Sequence, residues 1–181
     1  MLPCHATKPH GIEFLRQRLG YAGSEVISAV GDDLLGQELL RAMAAWGMET
    51  TAVQIDRHHP TGKVEERIVD REPHYQILPD CAYVLIAGES LPPLADGILY
   101  HGSLALRGET ARSALRQLAA HPRVAIFLDV NLHAPWWRRD EVLHWLQQAR
   151  WAKLDQEELR LLGFCSGDLR QDATQLLRKP T

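Results

Sequence analysis

Chemistry in this sequence gathers where apolar runs stop. FLDVNLHAPWW, residues 127–137, closes an apolar segment with Asp129, Asn131 and His133. Other runs end alike: SAVGDD in Gly31, Asp32 and Asp33, ILYHGS in His101, Gly102 and Ser103, and RWAKLD in Asp155, with Glu158 one turn later. Carboxylates accept hydrogen bonds and amides both donate and accept, so such a set can hold the hydroxyls of a sugar. The competing role for Asp32, Asp129 or Asp155 is to cap a helix N-terminus, as short polar side chains commonly do. Capping gives no reason for Asn131 or His101. Ser103 lacks the G-x-S-x-G elbow of a hydrolase nucleophile, and no G-x-G-x-x-G or Walker loop marks a generic nucleotide site. Cys4-His5, His10, His58-His59 and His74 have no compact metal-ligand spacing. Trp136 and Trp137 read as core and rim packing, and Arg138-Arg139 as a solvated helix face.

The elements that must position these groups alternate between extended and helical patterns, the signature of an α/β layer architecture. GIEFLRQRLG places Ile12, Leu15 and Leu19 on one helical face. EVISAV reads as a strand from Glu25 to Val30, with Gly31 turning and Asp32 or Asp33 capping a helix on which Leu35, Leu39, Met43 and Trp46 recur. TTAVQI is the next strand, which completes a crossover unit. HPTGKVEERIVDREPHYQIL alternates as a polar hairpin turning at Arg71-Glu72-Pro73; its modest apolar content requires a partner on one face, be it a substrate, the main domain or a second chain. Residues 83–87 fit a strand or a short helix. Strands in GILYHGS, RVAIFLDVN and RWAKL then alternate with helices in ETARSALRQLAA, PWWRRDEVLHWLQQA (starting at Pro135), DQEELRLLG and GDLRQDATQLLRK. If the strands are parallel neighbours, their polar ends converge on one rim, where open parallel sheets bind ligands.

At 181 residues and 45% hydrophobic positions the chain supports one packed domain. Its net charge of −3, with acidic and basic residues interspersed, favours neither nucleic acid nor an anionic membrane as partner. Cys4, Cys81 and Cys165 lie far apart, as free thiols of a reducing compartment do, which points to the cytoplasm. No apolar run approaches the ~20 residues that span a bilayer, and the N-terminus has no signal-peptide core.

The ordered set SAVGDDLLGQELLRAMAAWGMETTAVQIDRHHPTGKVEE, LYHGSLALRG, FLDVNLHAPWW and RWAKLDQEELRLLG, from Leu15 to Gly163, resembles the ribokinase-like (PfkB) carbohydrate kinases, most nearly the fructokinase-like branch. The resemblance implies a mostly parallel sheet flanked by helices, a small β lid over the sugar at about residues 61–78, and ATP-dependent phosphorylation of a sugar such as fructose with Mg²⁺. By the same resemblance Asp129 and Asn131 match the start of a D-x-N-x-R motif beside sugar and phosphate. Asp155 and Glu158 match an N-x-x-E motif associated with Mg²⁺ and phosphate, Asp32 with Gly31 and Gly36 matches a Gly-Asp turn, and Thr61 with Gly62 opens the lid strand. Asp32, Thr61, His101, Ser103, Asp129 and Asn131 are thus the expected sugar-binding residues, with His133, Asp155 and Glu158 near phosphate and no direct metal ligand.

The chain departs from the motifs at two positions. His133 stands in place of the arginine, giving up a permanently charged, forked donor, and Asp155 in place of the asparagine, adding a negative charge near phosphate. The family's G-A-G-D segment, which supplies the anion hole and the base, does not occur among these residues, nor does its Gly-Gly sugar turn. The expectation is a single partial carbohydrate-kinase-like domain, 1–181, truncated at both ends, with no catalytic base and impaired transfer. The alternative is a non-catalytic sugar-binding module or one that dimerises through the lid hairpin.

Overall fold

The alternation of extended and helical segments is realised as parallel strand pairs in the computed structural model of the chain, which describes residues 23–69, 72–93 and 96–177. Residues 1–92 and 93–181 form two compact units. The helix expected at residues 11–20 lies outside the described residues. Among those described, no helix is long and apolar enough to cross a membrane.

In the first unit, β1 (Ser28–Gly31) and β2 (Val53–Asp56) pair in parallel across α1 (Leu34–Ala45). The strand starts later than Glu25: that exposed residue pairs with Glu49 in an isolated bridge outside the ladder, and continuous burial begins at Ala29. On α1 the expected apolar stripe splits. Met43 packs with Val30 and Val53, whereas Leu35, Leu39 and Trp46 are exposed. An antiparallel hairpin follows, β3 (Val64–Val69) with β4 (Glu72–Ile77), so that Glu72 and Pro73 belong to the second strand rather than to the turn. Val64 and Ile68 are exposed on β3. The ambiguous segment after Cys81 is a 3₁₀ turn, Ala82–Leu85, held to the hairpin's base by the Ala82 N–H on the Pro60 carbonyl at 2.9 Å.

In the second unit, β5 (Gly97–Gly102), β6 (Val124–Asp129) and β7 (Trp151–Lys153) form a parallel sheet in that order, with Gly102, Asp129 and Lys153 in register at its end. α2 (Glu109–Ala119) buries Ala111, Ala114, Leu115 and Leu118, the i, i+3, i+4, i+7 stripe of a helix lying on a sheet. With α3 (Arg139–Gln148) it closes a core of Leu106, Leu115, Ile126, Leu128, Val130, Val142, Trp145 and Leu162. α3 begins at Arg139, not at Pro135, because residues 133–136 close a turn of their own with the Trp136 N–H on the His133 carbonyl at 2.9 Å. The tryptophan pair divides there: Trp137 packs on the core and Trp136 lies under the Arg107 guanidinium. α4 (Gln156–Leu161) and α5 (Leu169–Leu177) complete the unit.

Candidate functional site

Of the expected site residues, Asp32 and Thr61 belong to the first unit and the others to the second. In the first unit the chain leaves β1 through Gly31, whose N–H donates to the Thr61 hydroxyl at 2.9 Å. That hydroxyl donates to Asp33 Oδ1 at 2.7 Å, and the Thr61 N–H donates to Asp33 Oδ2 at 2.9 Å. Asp33 also accepts the Gly36 N–H at 2.8 Å and is thereby the N-cap of α1. Glycine is required at 31, since a Cβ there would lie 2.6 Å from the Thr61 nitrogen. The Thr61 N–H, with help from Gly36 and the Thr61 hydroxyl, holds the Asp33 carboxyl below the usual carboxylate range. The sequence left the cap open between Asp32 and Asp33 and took Asp32 as the site residue; the cap is Asp33. The signal was its spacing, three residues before the buried Gly36, which suits a cap. Asp32 is left exposed at the end of β1, its N–H on the Asp56 carbonyl at 2.8 Å.

In the second unit the three strand ends bring most of the other candidates together. Asp129 accepts from Lys153 Nζ at 2.8 Å on Oδ1 and from the Tyr100 hydroxyl at 2.7 Å on Oδ2, one partner from each neighbouring strand. Burial raises the Asp129 pKa, but Lys153 and Tyr100 outweigh it and the carboxyl sits below its ordinary value. The reciprocal effects raise Lys153, through its bond to Asp129, and push the Tyr100 phenol up to about 12 through partial burial and the facing carboxylate. Neither Tyr100 nor Lys153 was singled out from sequence. Both follow from register, which sets Tyr100 two positions before Gly102 on one side of Asp129 and Lys153 directly across on the other.

Beyond Asp129 the chain enters a loop in which Asn131 takes a left-handed φ of 43° and is exposed. Asn tolerates that conformation better than most residues. The Asn131 carbonyl accepts the Ser103 hydroxyl at 2.8 Å, and the Leu132 N–H donates to Glu158 Oε1 at 3.0 Å. Glu158 Oε2 accepts the Asp155 N–H while Asp155 Oδ1 accepts the Glu158 N–H, each at 2.8 Å, a reciprocal capping box on α4. His133 is half-buried next to this loop. His101 is buried, its ring 4.8 Å edge-on from that of Trp145, and Nε2 has no hydrogen-bond partner. Burial pushes its pKa down, and the Gly102 carbonyl offsets only part of that.

Among the described residues no cluster of three or more His, Cys, Asp or Glu could hold a metal ion. A groove of about 290 Å³ between α2 and α3 is lined by Arg112, Arg116 and Arg138 but by none of the candidates. Its arginines are engaged by Glu109, Glu141 and Asp140.

Residues 14–180 match the model of the pfkB family carbohydrate kinases. The chain belongs to the pfkB family. No curated protein sequence gives a significant match. Solved structures do. Fructokinase from Vibrio cholerae O395 in its apo form is matched with a TM-score of 0.76 at 19% identity, over 97% of this chain and 63% of that one. The same enzyme bound to fructose, ADP and calcium ion gives 0.72 at 20% identity, over 84% and 53%. Aminoimidazole riboside kinase from Salmonella enterica, complexed with aminoimidazole riboside and an ATP analog, gives 0.71 at 24% identity, over 88% and 55%. At such identities the likeness is one of fold. This pfkB-family chain therefore shares the ribokinase-like α/β architecture and spans 53–63% of the length of these relatives.

Proposed function

We propose that this chain forms the sugar-facing part of an ATP-dependent sugar kinase acting on a hydroxyl of a sugar such as fructose. The observation that carries the reading is the rim itself: in a pfkB-family chain, Asp129, Asn131 and Asp155 stand at the ends of parallel β6 and β7. Fructose and nucleotide in the Vibrio cholerae structure support the choice of ligands. Asp129, ionised and held by Tyr100 and Lys153, would accept a sugar hydroxyl, and exposed Asn131 would donate and accept. His101 would contribute from beside the rim, and Ser103 through the loop that carries Asn131.

ATP brings the phosphoryl group, and its Mg²⁺ spreads the charge that develops on transfer. Asp155 is exposed, so its carboxylate can meet a hydrated ion, whereas both oxygens of buried Glu158 are held by N–H groups. His133 would face phosphate with one donor. No G-A-G-D segment occurs among the 181 residues, so these residues by themselves would bind sugar without efficient transfer. Calorimetry should therefore give heat with fructose that Asp129→Ala removes, while a coupled assay shows only background ADP release. Sugar-dependent ADP formation that disappears in Asp129→Ala would overturn the inactivity, and absence of fructose heat would overturn the sugar site.

A second reading, a module that pairs with its own copy through the lid hairpin, is favoured by the exposure of Val64 and Ile68 on β3. Light scattering would decide it, since a monomer at micromolar concentration excludes it. We place the protein in the cytoplasm, in keeping with its free thiols Cys81 and Cys165.

A further inference from the structure

We infer that Ser103 and Glu158 are positioning residues that clamp a single peptide plane, Asn131–Leu132, and thereby aim the Asn131 amide at the ligand. The Asn131 carbonyl and the Leu132 N–H are the two ends of one rigid peptide unit. Ser103, from the end of β5, donates to the first at 2.8 Å, and Glu158, from α4, accepts from the second at 3.0 Å. Fixing that plane fixes the ψ of Asn131, the residue whose φ of 43° lies in the sparsely populated left-handed region. An asparagine in that region retains its conformation best where its surroundings over-determine it.

The clamp is itself immobilised on both sides. Ser103 is 3% exposed and its own N–H donates to the Val130 carbonyl at 3.1 Å. Glu158 is 8% exposed, and its second oxygen holds the Asp155 N–H at 2.8 Å. Neither side chain is presented to solvent, whereas Asn131 is exposed. The two residues therefore act on a ligand through Asn131, by holding fixed the backbone from which its amide projects, so that less freedom is lost on binding.

This inference rests on the sugar-site reading for its ligand but not for its geometry, so the two are tested apart. Glu158→Ala should speed exchange of the Leu132 amide hydrogen by about tenfold or more, the loss expected when a hydrogen bond to a buried carboxylate is removed. Unchanged Leu132 exchange would overturn the clamp whether or not fructose binds. For the ligand, Ser103→Ala and Glu158→Ala should each weaken fructose binding about tenfold. Ser103→Thr keeps the hydroxyl and should restore affinity. In an Asn131→Ala background the same substitutions should change affinity less than twofold, because the amide they aim is gone. A tenfold loss persisting in that background would overturn the positioning role. Absence of fructose binding in the unsubstituted chain would overturn the sugar-site reading and leave the clamp to stand or fall on the exchange result.

Discussion

Thr61 separates two roles that one hydroxyl can play. It is a candidate sugar contact by resemblance, yet it is 5% exposed and tied into the turn after β1, accepting the Gly31 N–H at 2.9 Å and donating to Asp33 at 2.7 Å. Thr61→Val keeps the shape and the backbone bond from Thr61 N–H to Asp33 while removing the hydroxyl. Asp33 retains two N–H donors and can turn to water for the rest. The Gly31 N–H cannot, because Gly31 is buried, and it is left unsatisfied. An orphaned buried donor costs about 1–3 kcal/mol, so we expect a loss of about 2 kcal/mol, roughly thirtyfold in the folding equilibrium. Urea unfolding of the full chain, followed by far-ultraviolet circular dichroism, measures this directly. Thr61→Ser, which keeps the hydroxyl and loses a methyl, should retain most of the stability. A Val variant within about 0.5 kcal/mol of the parent would refute the reasoning. If that variant had also lost fructose binding, the hydroxyl would belong to the ligand instead of the turn.

His101 and Lys153 give two further tests. His101 is buried and its pKa is held below 6.5, so the folded chain binds fewer protons than the unfolded one at low pH; stability is full above pH 6.5 and is lost as pH falls through the folded value. His101→Phe should flatten that fall in thermal melts taken from about pH 8 to pH 5, and an unchanged slope would rule His101 out as its source. Lys153→Met removes the ammonium that lowers Asp129, leaving burial to raise it, so the Asp129 carboxyl carbon should titrate at higher pH by NMR. A titration at the same pH would show that Tyr100 alone sets the carboxylate.

Much of this architecture was legible because alternating apolar patterns reflect which backbone faces are buried. RVAIFLDVN reads as a strand from its run of apolar and β-branched residues, and β6 covers Val124–Asp129. The start of α3 was not legible. Pro135 is a fitting first helical residue, but the turn closed by Trp136 on His133 depends on where the two tryptophans pack, and that is settled by neighbours distant in sequence. The stripe Leu35, Leu39, Met43 and Trp46 has helical spacing, yet spacing alone does not say which of its members meets β1 and β2, and only Met43 does.

By itself the sequence determined that this is a pfkB-family α/β chain, and it named Asp129, Asn131, Asp155 and Glu158, because residue types at strand ends and the order of motifs are written along one dimension. The tertiary structure alone decided what those groups do to one another. Register put Lys153 and Tyr100 on the two oxygens of Asp129, the crossing of β5 and α4 at one loop put Ser103 and Glu158 on the two ends of the Asn131–Leu132 peptide, and the close approach of residue 61 to Gly31 made Asp33 rather than Asp32 the anchor of the turn. Each is a contact across 24 or more residues. No local pattern encodes such a distance; only the folding of strands into sheets closes it.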